Sequence, residues 1–79
     1  MGKVLAAKLF GEILKEAREA KGHSQEELAK KAQIDRTFVS FLERGLRQPT
    51  LTTLVSLATA LKTRASRLIA KFEYRLSRR

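Results

Sequence analysis

The sequence predicts an all-α domain of five helices, and three observations carry that prediction. Apolar residues recur at helical spacing along most of the chain, helix-start residues stand before the stripes, and no period-two alternation survives inspection. Over residues 3–21, Leu5, Leu9, Ile13 and Ala17 recur every four positions with Phe10 and Leu14 beside them, one face of an amphipathic helix. Gly11 weakens its first turns by about 1 kcal/mol against alanine, and Gly22 sits where such a helix ends. Ser24 and Glu27 form Ser-x-x-Glu, a reciprocal cap that starts a second helix running to about residue 32 and burying Leu28, Ala29 and Ala32. Asp35 is an N-cap for a third helix over 36–44. Gly45 supplies the left-handed position that ends it, and Pro49 prevents an immediate restart. Thr50 caps a fourth helix whose Leu51, Leu54, Val55, Leu57, Ala58 and Leu61 are expected inward. Ser66 is expected to start a fifth, over about 66–77, with Leu68, Ile69, Phe72 and Leu76 along one stripe.

Seventy-nine residues make one domain, 1–79, and 43% hydrophobic content supports one modest core. The absence of cysteine excludes a disulfide framework and a thiolate site. The apolar-leaning run over 51–61 is broken by Thr52, Thr53, Ser56 and Thr59 and is too short to cross a bilayer. Lys8, Gly11 and Glu12 interrupt the N-terminal apolar residues, so no secretory signal is read there. A soluble, cytoplasmic protein is expected. Seventeen Lys and Arg against eight Asp and Glu give a formal charge of +9, which attracts polyanions; binding to phosphates would be driven by counterion release.

Residues 24–45 read as two short helices with a tight turn between them. Their inward positions are Leu28, Ala29, Ala32, Ile34, Val39 and Leu42, with Ala29 small enough to let two helices cross steeply at close range. The stretches "LKEAREAKGHSQEELAKKA", "RTFVSFLERG" and "RQPTLTTLVSLATAL" resemble the lambda-repressor-like helix-turn-helix proteins of the xenobiotic-response-element family, over roughly residues 10–69. Within that family, "IDRTFVSFLERGLRQPTLTTL" is similar to the controller proteins of restriction–modification systems. Gln33 departs from the pattern, standing where the family often has glycine; a left-handed conformation there costs about 1 kcal/mol.

The resemblance implies that the second helix of the motif lies in the major groove of DNA, N-terminus toward the base edges. Helical spacing puts Arg36, Thr37, Ser40, Phe41 and Arg44 on the face left over after Val39 and Leu42 are buried. Arg36 is the best candidate for direct readout, because a guanidinium can donate two bonds to guanine O6 and N7. Thr37 can meet a base edge, a thymine methyl or a phosphate. Gln25, by resemblance, places its side chain and backbone N–H near a phosphate at a helix N-terminus. Arg44 and Arg47 flank Gly45 as backbone contacts, with a base also open to Arg47. Ser40 is a weaker candidate. Phe41 has two readings: packing on a thymine methyl or deoxyribose, or folding back against Phe38 and the core. Phe38 itself is expected to pack partly against the domain. Arg18 and Glu43 are implied to form an ion pair tying the first helix to the end of the third.

Lambda-type proteins usually bind as two-fold dimers. Leu68, Phe72 and Leu76 are the interface candidates; Leu68 and Ile69 also serve to close the monomer core. For the terminal Arg78 and Arg79, a disordered end and a DNA contact both stay open. No metal site, cofactor or catalytic set is expected: His23 is the single histidine, before a helix cap, and no Cys/His cluster or glycine-rich phosphate loop exists. The implied function is a dimeric, sequence-specific transcriptional regulator binding double-stranded DNA, bacterial or phage-encoded. It would act as a repressor or by contacting RNA polymerase, with a controller-type autoregulator the favoured case. An antitoxin-like protein-interaction module that also binds DNA is the alternative.

Overall fold

Helix punctuation in the sequence is matched by five helices: α1 (Lys3–Ala20), α2 (Gln25–Ala32), α3 (Arg36–Glu43), α4 (Leu51–Ala60) and α5 (Ala65–Ser77). The computed structural model describes residues 2–78, and no strand occurs among them. Arg79 lies outside the described residues. The Ser24 hydroxyl accepts from the Glu27 N–H at 3.0 Å while the Glu27 carboxylate accepts from the Ser24 N–H at 2.8 Å, so two orphan donors of α2 are satisfied reciprocally. Asp35 accepts from the Thr37 N–H at 3.0 Å and Thr50 from the Thr53 N–H at 3.1 Å. Ser66 does not start α5. That helix begins at Ala65, after Arg64, without a side-chain cap; packing of Ala65 and Leu68 on the core sets its start instead.

Four helices end through a left-handed residue. These are Gly22 (φ 74°), Gln33 (φ 59°), Gly45 (φ 75°) and Lys62 (φ 57°). After each, an N–H reaches back five residues to a carbonyl of the last helical turn: His23 to Arg18 at 3.1 Å, Ile34 to Ala29 at 3.0 Å, Leu46 to Phe41 at 2.9 Å, Thr63 to Ala58 at 2.9 Å. Gln33 adopts the conformation its position in the motif required. Lys62 is a second non-glycine in the same state, and no sequence signal pointed to it.

The core joins Phe10, Ile13 and Leu14 of α1 to Leu28 and Ala29 of α2, Val39 and Leu42 of α3, Leu54 and Leu57 of α4, and Leu68 of α5. Helix α1 packs on α3 and α5, α2 on α3 and α4, and α4 on α5. Gly11, a weakness by helix propensity, is where α1 meets the end of α3. A Cβ there would lie 2.4 Å from the Leu42 carbonyl oxygen and 2.6 Å from that of Glu43. Across the same seam a Cβ at Gly45 would meet the Lys8 Cα at 2.9 Å. Arg75 clamps α5 to α1: its Nη1 donates to Glu16 Oε2 at 3.1 Å, its Nη2 pairs with Glu16 Oε1, and Glu12 lies 3.9 Å away.

Three apolar residues expected inward are outside. Leu51 and Val55 lie beside, not within, the Leu54–Leu57–Ala58–Leu61 stripe, and they are 82% and 54% exposed; Ile69 is 38% exposed. Leu68 closes the monomer core as expected, and the interface role also assigned to it is corrected. At 1% exposure its side chain is spent on its own core and cannot reach a second copy.

Two outcomes follow from the caps and the seam. Gly11→Ala is expected to cost about 1–3 kcal/mol in urea unfolding through overpacking, where propensity alone would give a gain of about 1 kcal/mol. The Ser24 N–H bond holds the Glu27 carboxyl below its ordinary range. A carboxyl with a lowered folded pKa stabilises fully above its unfolded value and ceases to do so as pH falls through the folded one. The melting-point gap between the wild type and Glu27→Ala should therefore be full at neutral pH and close in acid.

Candidate nucleic-acid interface

Helices α2 and α3 are joined by residues 33–35, and α3 turns Val39 and Leu42 into the core. The opposite face of α3 carries the predicted residues. Arg36 and Thr37, in its first turn, are exposed; Ser40 and Phe41 are half-buried; Arg44 at its C-cap and Arg47 in the following loop are exposed. Gln25, half-buried, is the first residue of α2. Its backbone N–H has no intrahelical acceptor.

Under this face lies a bonded chain of four residues. The Arg18 Nε donates to Glu43 Oε2 at 2.6 Å and its Nη2 to Glu43 Oε1 at 3.1 Å, while its Nη1 donates to the His23 carbonyl at 2.8 Å. The pair is taken out of water, with side chains 11% and 3% exposed. The charge-assisted bonds to Glu43 raise the Arg18 pKa, outweighing the opposing effect of burial. The Gln25 Nε2 then donates to Glu43 Oε1 at 3.0 Å, and the Gln25 Oε1 accepts from Arg36 Nη1 at 3.2 Å. An amide is suited to this place because one end donates and the other accepts. A carboxylate at position 25 would repel Glu43, and an ammonium would repel Arg36. Among the described residues, no buried side-chain polar atom lacks a partner.

The implied Arg18–Glu43 pair is therefore present. The links through Gln25 escaped sequence reading because they join residues 18 and 11 positions apart. The two phenylalanines of α3 divide between the two sides. Phe38 packs against the core, whereas Phe41 stands under the two basic side chains, the guanidinium carbons of Arg44 and Arg47 lying 5.3 and 5.8 Å from its ring centroid. The Arg44 Nε also donates to the Ser40 hydroxyl at 3.1 Å. His23 is half-buried. Among the described residues, no three His, Cys, Asp or Glu side chains are grouped as metal ligands, and no helix is long and apolar enough to cross a membrane.

Comparison with known proteins places this geometry. Residues 14–68 match the helix-turn-helix family model. The chain is 43% identical over 54 residues to an uncharacterised HTH-type transcriptional regulator, y4dJ, of Sinorhizobium fredii, covering 68% of this chain and 70% of that protein. The restriction-modification controller protein C.AhdI from Aeromonas hydrophila is 44% identical, with a TM-score of 0.77 over 78% of this chain and 94% of that one. The clp gene regulator ClgR from Corynebacterium glutamicum, 24% identical, has the same fold, with a TM-score of 0.87 over 96% of this chain and 81% of that one.

The buried pair gives the site its own test. Glu43→Ala leaves the Arg18 guanidinium without its carboxylate and frees the Gln25 amide, so a loss of about 3–5 kcal/mol is expected in chemical unfolding.

Proposed function

The chain belongs to the helix-turn-helix family of DNA-binding transcriptional regulators, and from that premise we propose that it binds a two-fold operator in double-stranded DNA as a homodimer. The observation that carries this reading is the placement of Arg36. It is exposed on the first turn of α3, and its guanidinium is held by Gln25, itself fixed to the buried Arg18–Glu43 pair. A guanidinium so held is suited to the O6 and N7 of a guanine in the major groove. Thr37 beside it serves as a second reader. The backbone N–H of Gln25 takes a phosphate at the start of α2, and Ser40, Arg44 and Arg47 lie along the path of the sugar–phosphate backbone, with the Phe41 ring against the two arginines.

The homodimer is supported by unpartnered apolar surface. Leu51, Leu54, Ile69 and Phe72 line a groove with Ala6 and Phe10, and Val55 stands exposed on the same helix as Leu51. A second copy covers this side of α4 and α5, with Phe72 and Leu76 contributing, and the two recognition helices then address half-sites about one helical turn apart. Regulation is by position, through blocking or contacting RNA polymerase. Likeness to a restriction-modification controller protein favours a controller-type autoregulator of the chain's own operon.

Selection of bound duplexes from a random pool tests the reading directly: a two-fold consensus supports it, and no consensus favours an interaction module instead. On the selected site Arg36→Ala should lose about 1–3 kcal/mol while binding to random DNA changes little; equal losses on both would remove Arg36 as a base reader. Ile69→Glu should convert dimer to monomer in sedimentation with its helical circular dichroism kept and its melting point no longer dependent on protein concentration. It is a cleaner probe than a charge at Phe72, whose ring also packs against the core.

A further inference from the structure

We propose that Phe41 is a positioning residue, whose ring gathers the Arg44 and Arg47 guanidiniums and sets their direction before DNA arrives; the proposal rests on the DNA-binding reading above. Phe41 is half-buried, and its neighbour in the same helix, Phe38, is the one packed on the core. Its ring is instead covered by two cations, with guanidinium carbons 5.3 and 5.8 Å from the centroid, inside the range where the negative face of an aromatic ring attracts a cation. The two arginines reach it from different segments. Arg44 closes α3, and Arg47 returns over the ring only because Gly45, at φ 75°, turns the chain back.

The ring attracts both cations, and the Ser40 hydroxyl holds Arg44 at a second point, 3.1 Å from its Nε. A phosphate is the group that completes such a pair, since each guanidinium offers it donors in a fixed fork. Free arginines at these exposed positions would lose rotamer freedom on binding, and the ring removes part of that loss in advance. An aliphatic side chain of equal bulk fills the space but has no quadrupole.

The test compares wild type, Phe41→Leu, Phe41→Tyr, Arg44→Ala/Arg47→Ala, and the double variant carrying Phe41→Leu as well. Binding to the selected duplex and to a random duplex is measured as a function of salt, with thermal melts to verify folding. Phe41→Leu should weaken both duplexes by about fivefold to tenfold and flatten the salt slope, and Phe41→Tyr should restore both. In the Arg44→Ala/Arg47→Ala background, Phe41→Leu should cost nothing more. An equal further loss in that background would mean that the ring touches DNA itself, and full affinity of Phe41→Leu would mean that it positions nothing; either overturns the proposal. In the free protein, Arg44 and Arg47 side-chain resonances should shift upfield over the ring and lose that shift in Phe41→Leu; no shift in the wild type also overturns it. If the wild type shows no salt-dependent binding to any duplex, it is the DNA-binding reading that has failed, and the proposal falls with it.

Discussion

The ion pair between Arg18 and Glu43 is the interaction on which the rest of the structure depends. A buried pair is poor evidence of net stability, because desolvation offsets much of the attraction. Its contribution here is register. Glu43 is the last residue of α3 and Arg18 lies near the end of α1, so two bonds of 2.6 and 3.1 Å fix where α3 ends on the helix beneath it. Gly11 makes the approach possible, since α1 meets the Leu42 and Glu43 carbonyls where any side chain would stand in the way. Close backbone contact and charge pairing thus act on the same few residues. The third bond of Arg18, to the His23 carbonyl, extends the attachment to the segment that leads into α2.

Much of this was legible in the sequence, and the reasons separate by distance along the chain. Caps are local chemistry, so Ser24, Asp35 and Thr50 announced three helix starts; Gln33 announced a strained turn by standing where glycine was expected. The core was legible from α1 through α3 because each stripe there is narrow. It was less so in α4, whose apolar residues span a wider arc than one small core can cover, and in α5, of which the core takes Leu68 and only part of Phe72. Periodicity ranks residues by face but does not say how much of a wide face finds a neighbour. Leu51, Val55 and Ile69 were misplaced for that reason, whereas Leu68 closes the monomer core as expected and has no surface left for the interface also assigned to it. The start of α5 was misread because tertiary packing, not a cap, sets it.

The binding face shows the same division. Its members could be named from helical spacing, yet their mutual bonds could not. Sequence placed Phe41 between two alternatives, a core residue or a DNA contact. The two guanidiniums over its ring describe a third arrangement, created by a turn at Gly45 that brings residues 44 and 47 to one place. Such meetings depend on the path of the chain beyond the helix.

The amide of Gln25 has a consequence for how this protein can diverge. It is a two-ended connector, chemically matched to an anion on one side and a cation on the other. A carboxylate or a purely aliphatic side chain at position 36 would offer its oxygen no donor, and a charged residue at position 25 would conflict with Glu43 or with Arg36. With Arg36 as the base reader proposed above, new operator preferences at position 36 would be reached through paired change, positions 25 and 36 drifting together while 18 and 43 stay fixed. Among descendants of this chain, the trace of altered specificity would be a correlated couple of substitutions on two helices.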